Sequence, residues 1–171
     1  MVILIAGTTP TGKTLLAQRL IEELHYPCLS IDHLKMGLIR SGNTALTPCS
    51  DDEHLTAYLW PICREMIKTA IENKQNLILE GCYIPFTWQE DFEEAYRKQI
   101  DCRWLIMTED YIRKSFHAIL DHANAVEQRL DDSSLDQEEL VRDNVWNLEQ
   151  CRKHSCRYIL IDNVYAPEWT A

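Results

Sequence analysis

Glycine and proline are scarce, five and six residues in a chain of 171, and the composition of 46% hydrophobic and 26% charged residues excludes a fibrous or disordered architecture. No surplus of basic residues is present either. The formal net charge is -10, and nucleic acids and anionic membranes both bind through a basic surface, so neither is an expected partner. The opening run Met1-Val2-Ile3-Leu4-Ile5-Ala6 is too short to span a membrane and lacks the basic start and small-residue cleavage site of a secretory signal. The expected location is therefore the cytoplasm. Seven cysteines are present, but the number is odd and no Cys-x-x-Cys pair occurs, so they read as reduced residues, with Cys28, Cys63 and Cys102 in apolar runs. Cys151, His154 and Cys156 have metal-capable chemistry without a second half-site.

What the chain does contain is a regular alternation of apolar runs and helical patterns. Short apolar runs at 2–6, 27–31, 76–80, 103–107 and 158–161 read as strands. Between them lie helical patterns: one with Leu16, Leu20 and Leu24; a short one opening at Asp32 and reaching Arg40; and, after a loop over 41–50, a long one with Leu55, Leu59, Ile62, Met66 and Ile71. Ser50 with Glu53, Thr87 with Glu90 and Asp136 with Glu139 have capping-box spacing, and Pro61 predicts a kink. The segment capped by Thr87 reads as an amphipathic helix with Phe92 and Tyr96. Thr108 opens a helix to about Leu120, a polar flap follows over 121–136, and the last helix presents Val141, Val145, Leu148 and Cys151. Strands alternating with helices require right-handed crossovers and a parallel sheet covered on both faces, a three-layer α/β sandwich in one domain.

The break after the first strand reads Gly7-Thr8-Thr9-Pro10-Thr11-Gly12-Lys13-Thr14, a complete match to Gly-x-x-x-x-Gly-Lys-[Ser/Thr] between a strand and a helix. The two glycines let the backbone wrap so that N–H groups and the helix N-terminus surround phosphates. Lys13 is placed to reach the outer phosphates and the Thr14 hydroxyl to bind magnesium, so the expected cofactors are ATP and Mg2+. No Asn-Lys-x-Asp guanine motif is present: Asn73-Lys74-Gln75-Asn76 lacks the acid.

With this loop, the short chain and Asp32 at the end of the second strand, the sequence resembles the P-loop small-molecule kinases: nucleoside and nucleotide kinases, shikimate and gluconate kinases, chloramphenicol phosphotransferase and zeta-toxin kinases. The run Ser30-Ile31-Asp32-His33-Leu34-Lys35-Met36-Gly37-Leu38-Ile39-Arg40 is similar to the substrate-side segment of proteins described as 2-phosphoglycerate kinases or adenylate-kinase-like. That resemblance implies a five-stranded sheet of order 2-3-1-4-5 with ligands beyond the carboxyl ends of the strands.

It also implies roles for single residues. Asp32 would orient and deprotonate an acceptor hydroxyl, although the same residue could simply cap a helix. Glu80, closing an apolar strand, stands where an acid reaches magnesium through water, or is merely solvated there. Arg40 and Lys35 would grip an acceptor phosphate or carboxylate, and Tyr83 would line the acceptor site; surface and packing roles remain open for all three. Arg113, Lys114 and Arg129 flank the flap, with Arg129 the first choice to neutralise the transferring phosphoryl group and Arg113 a nucleotide contact. The loop Asp162-Asn163-Val164-Tyr165 stands where related kinases contact adenine. The leading reading is an ATP-dependent phosphotransferase acting on a hydroxyl or phosphate of a small molecule. The alternatives are a nucleotide-binding regulatory module with little transfer activity and a zeta-toxin-like kinase. Neither the acceptor nor the oligomeric state follows from the pattern.

Overall fold

A computed structural model describes residues 1–126 and 136–169, with the side chains of 123–126 set aside. The strands are β1 (Val2–Ala6), β2 (Cys28–Ser30), β3 (Leu77–Gly81), β4 (Ile100–Met107) and β5 (Arg157–Ile161). The helices are α1 (Lys13–Leu24), α2 (Ile31–Arg40), α3 (Asp52–Glu72), α4 (Glu94–Arg97), α5 (Glu109–Val126) and α6 (Gln137–Lys153). All strand pairs are parallel, in the order β2-β3-β1-β4-β5. This is the expected three-layer sheet, with the expected order.

Period-two alternation divides β1 between the two cores. Val2, Leu4 and Ala6 join α3 residues Leu55, Leu59, Cys63 and Ile67 on one face. Ile3 and Ile5 join Leu16 and Leu20 of α1, Ile112 of α5 and Leu140 of α6 on the other. A strand buried on both faces has no polar side, which is why these runs read as continuously apolar.

Several local expectations are corrected. The N-cap of α3 is Asp51, whose carboxylate accepts from the His54 backbone N–H at 2.9 Å, while Ser50 accepts from the Thr47 N–H instead. A carboxylate one residue later competes for the same orphan N–H groups and wins. Pro61, the expected kink position, lies inside α3. The buried stripe of α3 runs through Trp60, Cys63 and Ile67; Ile62 is half-buried and Met66 exposed. Thr87 makes no side-chain cap: a 3-10 turn over Trp88–Asp91 and then the one-turn α4 replace the expected amphipathic helix. Phe92 sits between them with extended backbone and packs against Trp60 and Trp88.

The first six positions of the expected flap, 121–126, are helical, as α5 continues to Val126. The rest of the flap, including Arg129, lies outside the described residues. Asp136 does cap α6, accepting from the Glu138 N–H at 3.1 Å. Leu24 and Val145, expected on buried faces, are exposed. Among the described residues, no helix is long and apolar enough to cross a membrane.

The buried face of α6 carries amides where apolar residues were expected, Asn144 and Asn147 beside Leu140, Val141 and Cys151. Asn144 has a specific task. Its Oδ1 accepts from the Met107 N–H at the end of β4 (2.9 Å) and its Nδ2 donates to the Leu140 carbonyl (2.8 Å). Removing it orphans a buried backbone donor, so Asn144→Ala is expected to lower stability by about 1–3 kcal/mol. Urea unfolding of the variant measures this; a change within experimental error would show that the bond carries no net stability.

Candidate functional site

The loop joining β1 to α1 is shaped by its two glycines. Gly7 has φ 141°, and a Cβ there would stand 2.6 Å from the Leu105 carbonyl oxygen on β4. Gly12, with φ 79°, is the N-cap of α1, and a Cβ there would stand 2.3 Å from the Tyr165 hydroxyl. Both positions combine a left-handed backbone with no room for a side chain. Inside the loop, the buried Thr11 hydroxyl donates to the Thr8 carbonyl at 2.7 Å. The Lys13 ammonium curls back to donate to the same carbonyl at 3.0 Å and to the Thr9 hydroxyl at 3.4 Å. No side chain caps α1, so the N–H groups of its first turn, with the positive end of the helix dipole, are left for an anion. Thr14 sits half-buried in that first turn.

Tyr165, in the segment after β5, fastens the loop. Its hydroxyl donates to the Gly12 carbonyl at 2.6 Å, and the Arg19 guanidinium lies 5.8 Å from its ring centre. Burial raises the Tyr165 phenol above its ordinary pKa, so it remains a donor throughout the physiological range. The segment after β5 thus holds the phosphate loop, a contact that strand and helix periodicity cannot reveal.

On the opposite side, α2 begins immediately after β2. Its N-cap is Ser30, so Asp32 is not a cap but a first-turn carboxylate. One turn on, Lys35 pairs with it at 2.6 Å and also donates to the Tyr83 hydroxyl at 2.8 Å, with the ammonium 4.9 Å from the Tyr83 ring centre. Burial alone would push Lys35 down, but the hydrogen bonds with Asp32 and Tyr83 outweigh it and hold the ammonium above its ordinary range. Burial pushes the Tyr83 phenol up to about 12, against the opposing pull of Lys35. The three residues form one connected group.

Asp32, Lys35, Arg40 and Tyr83 line the same cavity as Gly7, Thr8 and Thr9, an opening of about 1720 Å³. Its other walls come from the start of α3 (Asp52, Glu53), the loop after β3 (Cys82 to Thr87) and α6. From α6, Asp143 accepts a long 3.4 Å hydrogen bond from the Thr8 hydroxyl, and burial raises its pKa. The sequence signal for it was slight: Glu139 and Asp143 are four residues apart beside the apolar stripe of a helix that otherwise looks structural.

Glu80 is buried on β3, in register with Ile5 and Ser30, and by alternation shares the face of Ile78, the α1 side of the sheet. Its charge, after burial itself, contributes to raising the Cys28 thiol to about 11. Glu80 does not line the cavity. Thr14 and Glu80 are both oxygen donors, the chemistry a hard divalent cation takes. Arg113 is held elsewhere: it bonds Glu109 at 2.9 Å and Glu138 at 3.0 Å, tying α5 to α6, and it does not line the cavity.

No family model matches the chain, and no curated protein matches it by sequence. Solved structures do. A gluconokinase from Sinorhizobium meliloti 1021 aligns at a TM-score of 0.53 and 15% identity, covering 96% of this chain and 83% of its own. The shikimate kinase from Bacteroides thetaiotaomicron aligns at 0.53 and 13%, covering 95% and 86%. A structure from the PezAT chromosomal toxin-antitoxin system of Streptococcus pneumoniae aligns at 0.56 and 11%, covering 99% and 70%. At such low identities the shared property is the architecture, and the chain has the fold of the P-loop small-molecule kinases.

Proposed function

We propose that the chain is an ATP-dependent phosphotransferase that moves the terminal phosphoryl group onto a hydroxyl or phosphate of a small molecule. The observation that supports this reading is the shared cavity: the phosphate loop and the Asp32–Lys35–Tyr83 group open onto the same space. A binding module needs only the first. A transferase needs both, because donor and acceptor must be held in line.

In this reading Gly7 to Thr14 hold the nucleotide, with the uncapped N-terminus of α1 and Lys13 meeting its phosphates. Thr14 would hold magnesium directly and Glu80 through water. When bound, the cation neutralises phosphate charge during transfer. Asp32 accepts the proton of the acceptor hydroxyl, while Lys35 fixes that carboxylate in place from one side and Tyr83 fixes Lys35. Arg40, at the far end of α2, is available to an anionic group on the acceptor. Arg129 remains the proposed lid cation, and Arg113 would have to leave Glu138 to serve the nucleotide.

A panel of nucleosides, nucleotides, sugar acids and UDP-sugars, assayed for ADP release by the purified chain, tests the reading. At least one acceptor is expected to raise release tenfold or more above the rate with water alone. A flat response across the panel, with ATP bound, would count against a transferase.

A further inference from the structure

A second cleft opens at the amino-terminal end of the sheet. Its volume is about 200 Å³, and its wall includes Trp88 and Gln89 of the 3-10 turn, Arg97 of α4, Asp101 at the start of β4 and Arg157 at the start of β5. The phosphate loop follows the other end of β1, five residues or about 16 Å away at 3.3 Å per residue. Among the described residues the two cavities share no lining side chain, so the transfer step makes no use of this cleft.

Hydrogen-bond donors outnumber free acceptors in its wall. Trp88 is only 5% exposed, yet its buried Nε1–H has no acceptor among the described residues. Buried donors in native chains nearly always have a partner, and a missing one points to an oxygen supplied from outside the chain. The Arg97 guanidinium and the Gln89 side-chain amide are likewise without a hydrogen bond or ion pair among the described residues. The carboxylate in the wall is already engaged: Asp101 accepts from Arg103 at 2.8 and 3.3 Å and from Arg157 at 2.8 Å. No other carboxylate lines the cleft among the described residues. Two arginines in the wall and a third bonded to Asp101 thus make a positive spot on a chain whose net charge is -10. A cleft lined by one sign of charge concentrates ions of the other.

We propose that this cleft binds a phosphate-type oxyanion, either the free inorganic ion or the phosphoryl end of a phosphomonoester. Arg97 and Arg157 carry planar forks that meet such an ion with paired hydrogen bonds, and Gln89 and Trp88 add neutral donors from a separate turn. Donors arriving from the 3-10 turn, α4 and β5 suit a tetrahedral set of oxygens better than the two coplanar oxygens of a carboxylate. An oxygen that reaches Trp88 gives the indole the acceptor that the chain itself does not provide. Both arginines are exposed, so the rest of an ester has a way out to solvent.

The Trp88 indole N–H, one of five tryptophan side-chain signals in a proton–nitrogen correlation spectrum of the full chain, reports on the site directly. Inorganic phosphate is titrated at constant ionic strength, with sodium chloride and sodium acetate as parallel titrations. Phosphate is expected to move the Trp88 signal saturably, with half the shift reached at about 1 mM or below. Acetate should bind at least fivefold more weakly, and chloride should leave the signal in place. Arg97→Gln, which breaks no ion pair of the described residues, is expected to weaken phosphate at least fivefold without changing the melting temperature in phosphate-free buffer. Glycerol 3-phosphate separates the two sources: tighter binding than inorganic phosphate identifies the ester as the form held, and weaker binding the free ion. A Trp88 signal that phosphate does not move overturns the proposal, as does one that acetate or chloride moves equally. An affinity that survives Arg97→Gln overturns it too, since phosphate would then be held elsewhere, at the phosphate loop or as an adventitious ion only.

Discussion

Lys13→Ala is expected to weaken ATP binding roughly ten- to a hundredfold, the equivalent of about 1.5–3 kcal/mol for a charge-assisted hydrogen bond. It is further expected to lower any ATP-dependent turnover by about 10²–10³, because removal of one preorganised charge-stabilising donor commonly costs that much. The effect should not come from collapse of the loop. Lys13 contributes hydrogen bonds to the Thr8 carbonyl and the Thr9 hydroxyl, but Thr11 also donates to Thr8 at 2.7 Å and Tyr165 holds Gly12 at 2.6 Å. Those two remain in the variant. A titration with a fluorescent ATP analogue measures the first quantity and ADP release the second, with a melting curve as control. Unchanged affinity in a folded variant would mean that the loop does not bind a triphosphate in the manner proposed.

The loop was fully legible in the sequence because its requirements are local. Gly7 and Gly12 must adopt left-handed backbone, Lys13 and Thr14 must follow within the first turn of a helix, and all of this is written in eight consecutive residues. The sheet was legible for a related reason. Doubly buried parallel strands are apolar runs, and the crossover rule leaves few ways to join them. Helix boundaries and faces were less so. Neighbouring cap residues such as Ser50 and Asp51 compete by geometry that spacing alone does not resolve, and Phe92 left its expected helix to pack with Trp60 and Trp88. Contacts between distant segments were hardly legible at all. Tyr165 lies 153 residues from Gly12, and Asp143 lies 135 from Thr8. Neither pair leaves a periodic trace, because each depends on where two separate elements stop in space.

Asp32→Asn discriminates between the transferase and the regulatory module, and the geometry makes the substitution a clean one. The side chain is partly exposed, caps no helix and has Lys35 as its charged partner at 2.6 Å, so an isosteric amide disturbs little packing. Lys35 retains its hydrogen bond to Tyr83 at 2.8 Å and thus a fixed position. What disappears is the capacity to accept a proton. General-base catalysis typically contributes 10²–10⁴-fold, so acceptor-dependent ADP release should fall by about that factor while the affinity for ATP stays within roughly twofold of the parent. Lys35→Met should give a smaller loss in the same direction, since it leaves the carboxylate in place but without the partner that positions it at 2.6 Å. The regulatory reading has one observation in its favour: Arg113, beside the expected flap, is already bonded by Glu109 and Glu138. If Asp32→Asn bound ATP and kept every activity of the parent, that reading would prevail, and the carboxylate at the mouth of the cavity would be a partner for Lys35 and nothing more.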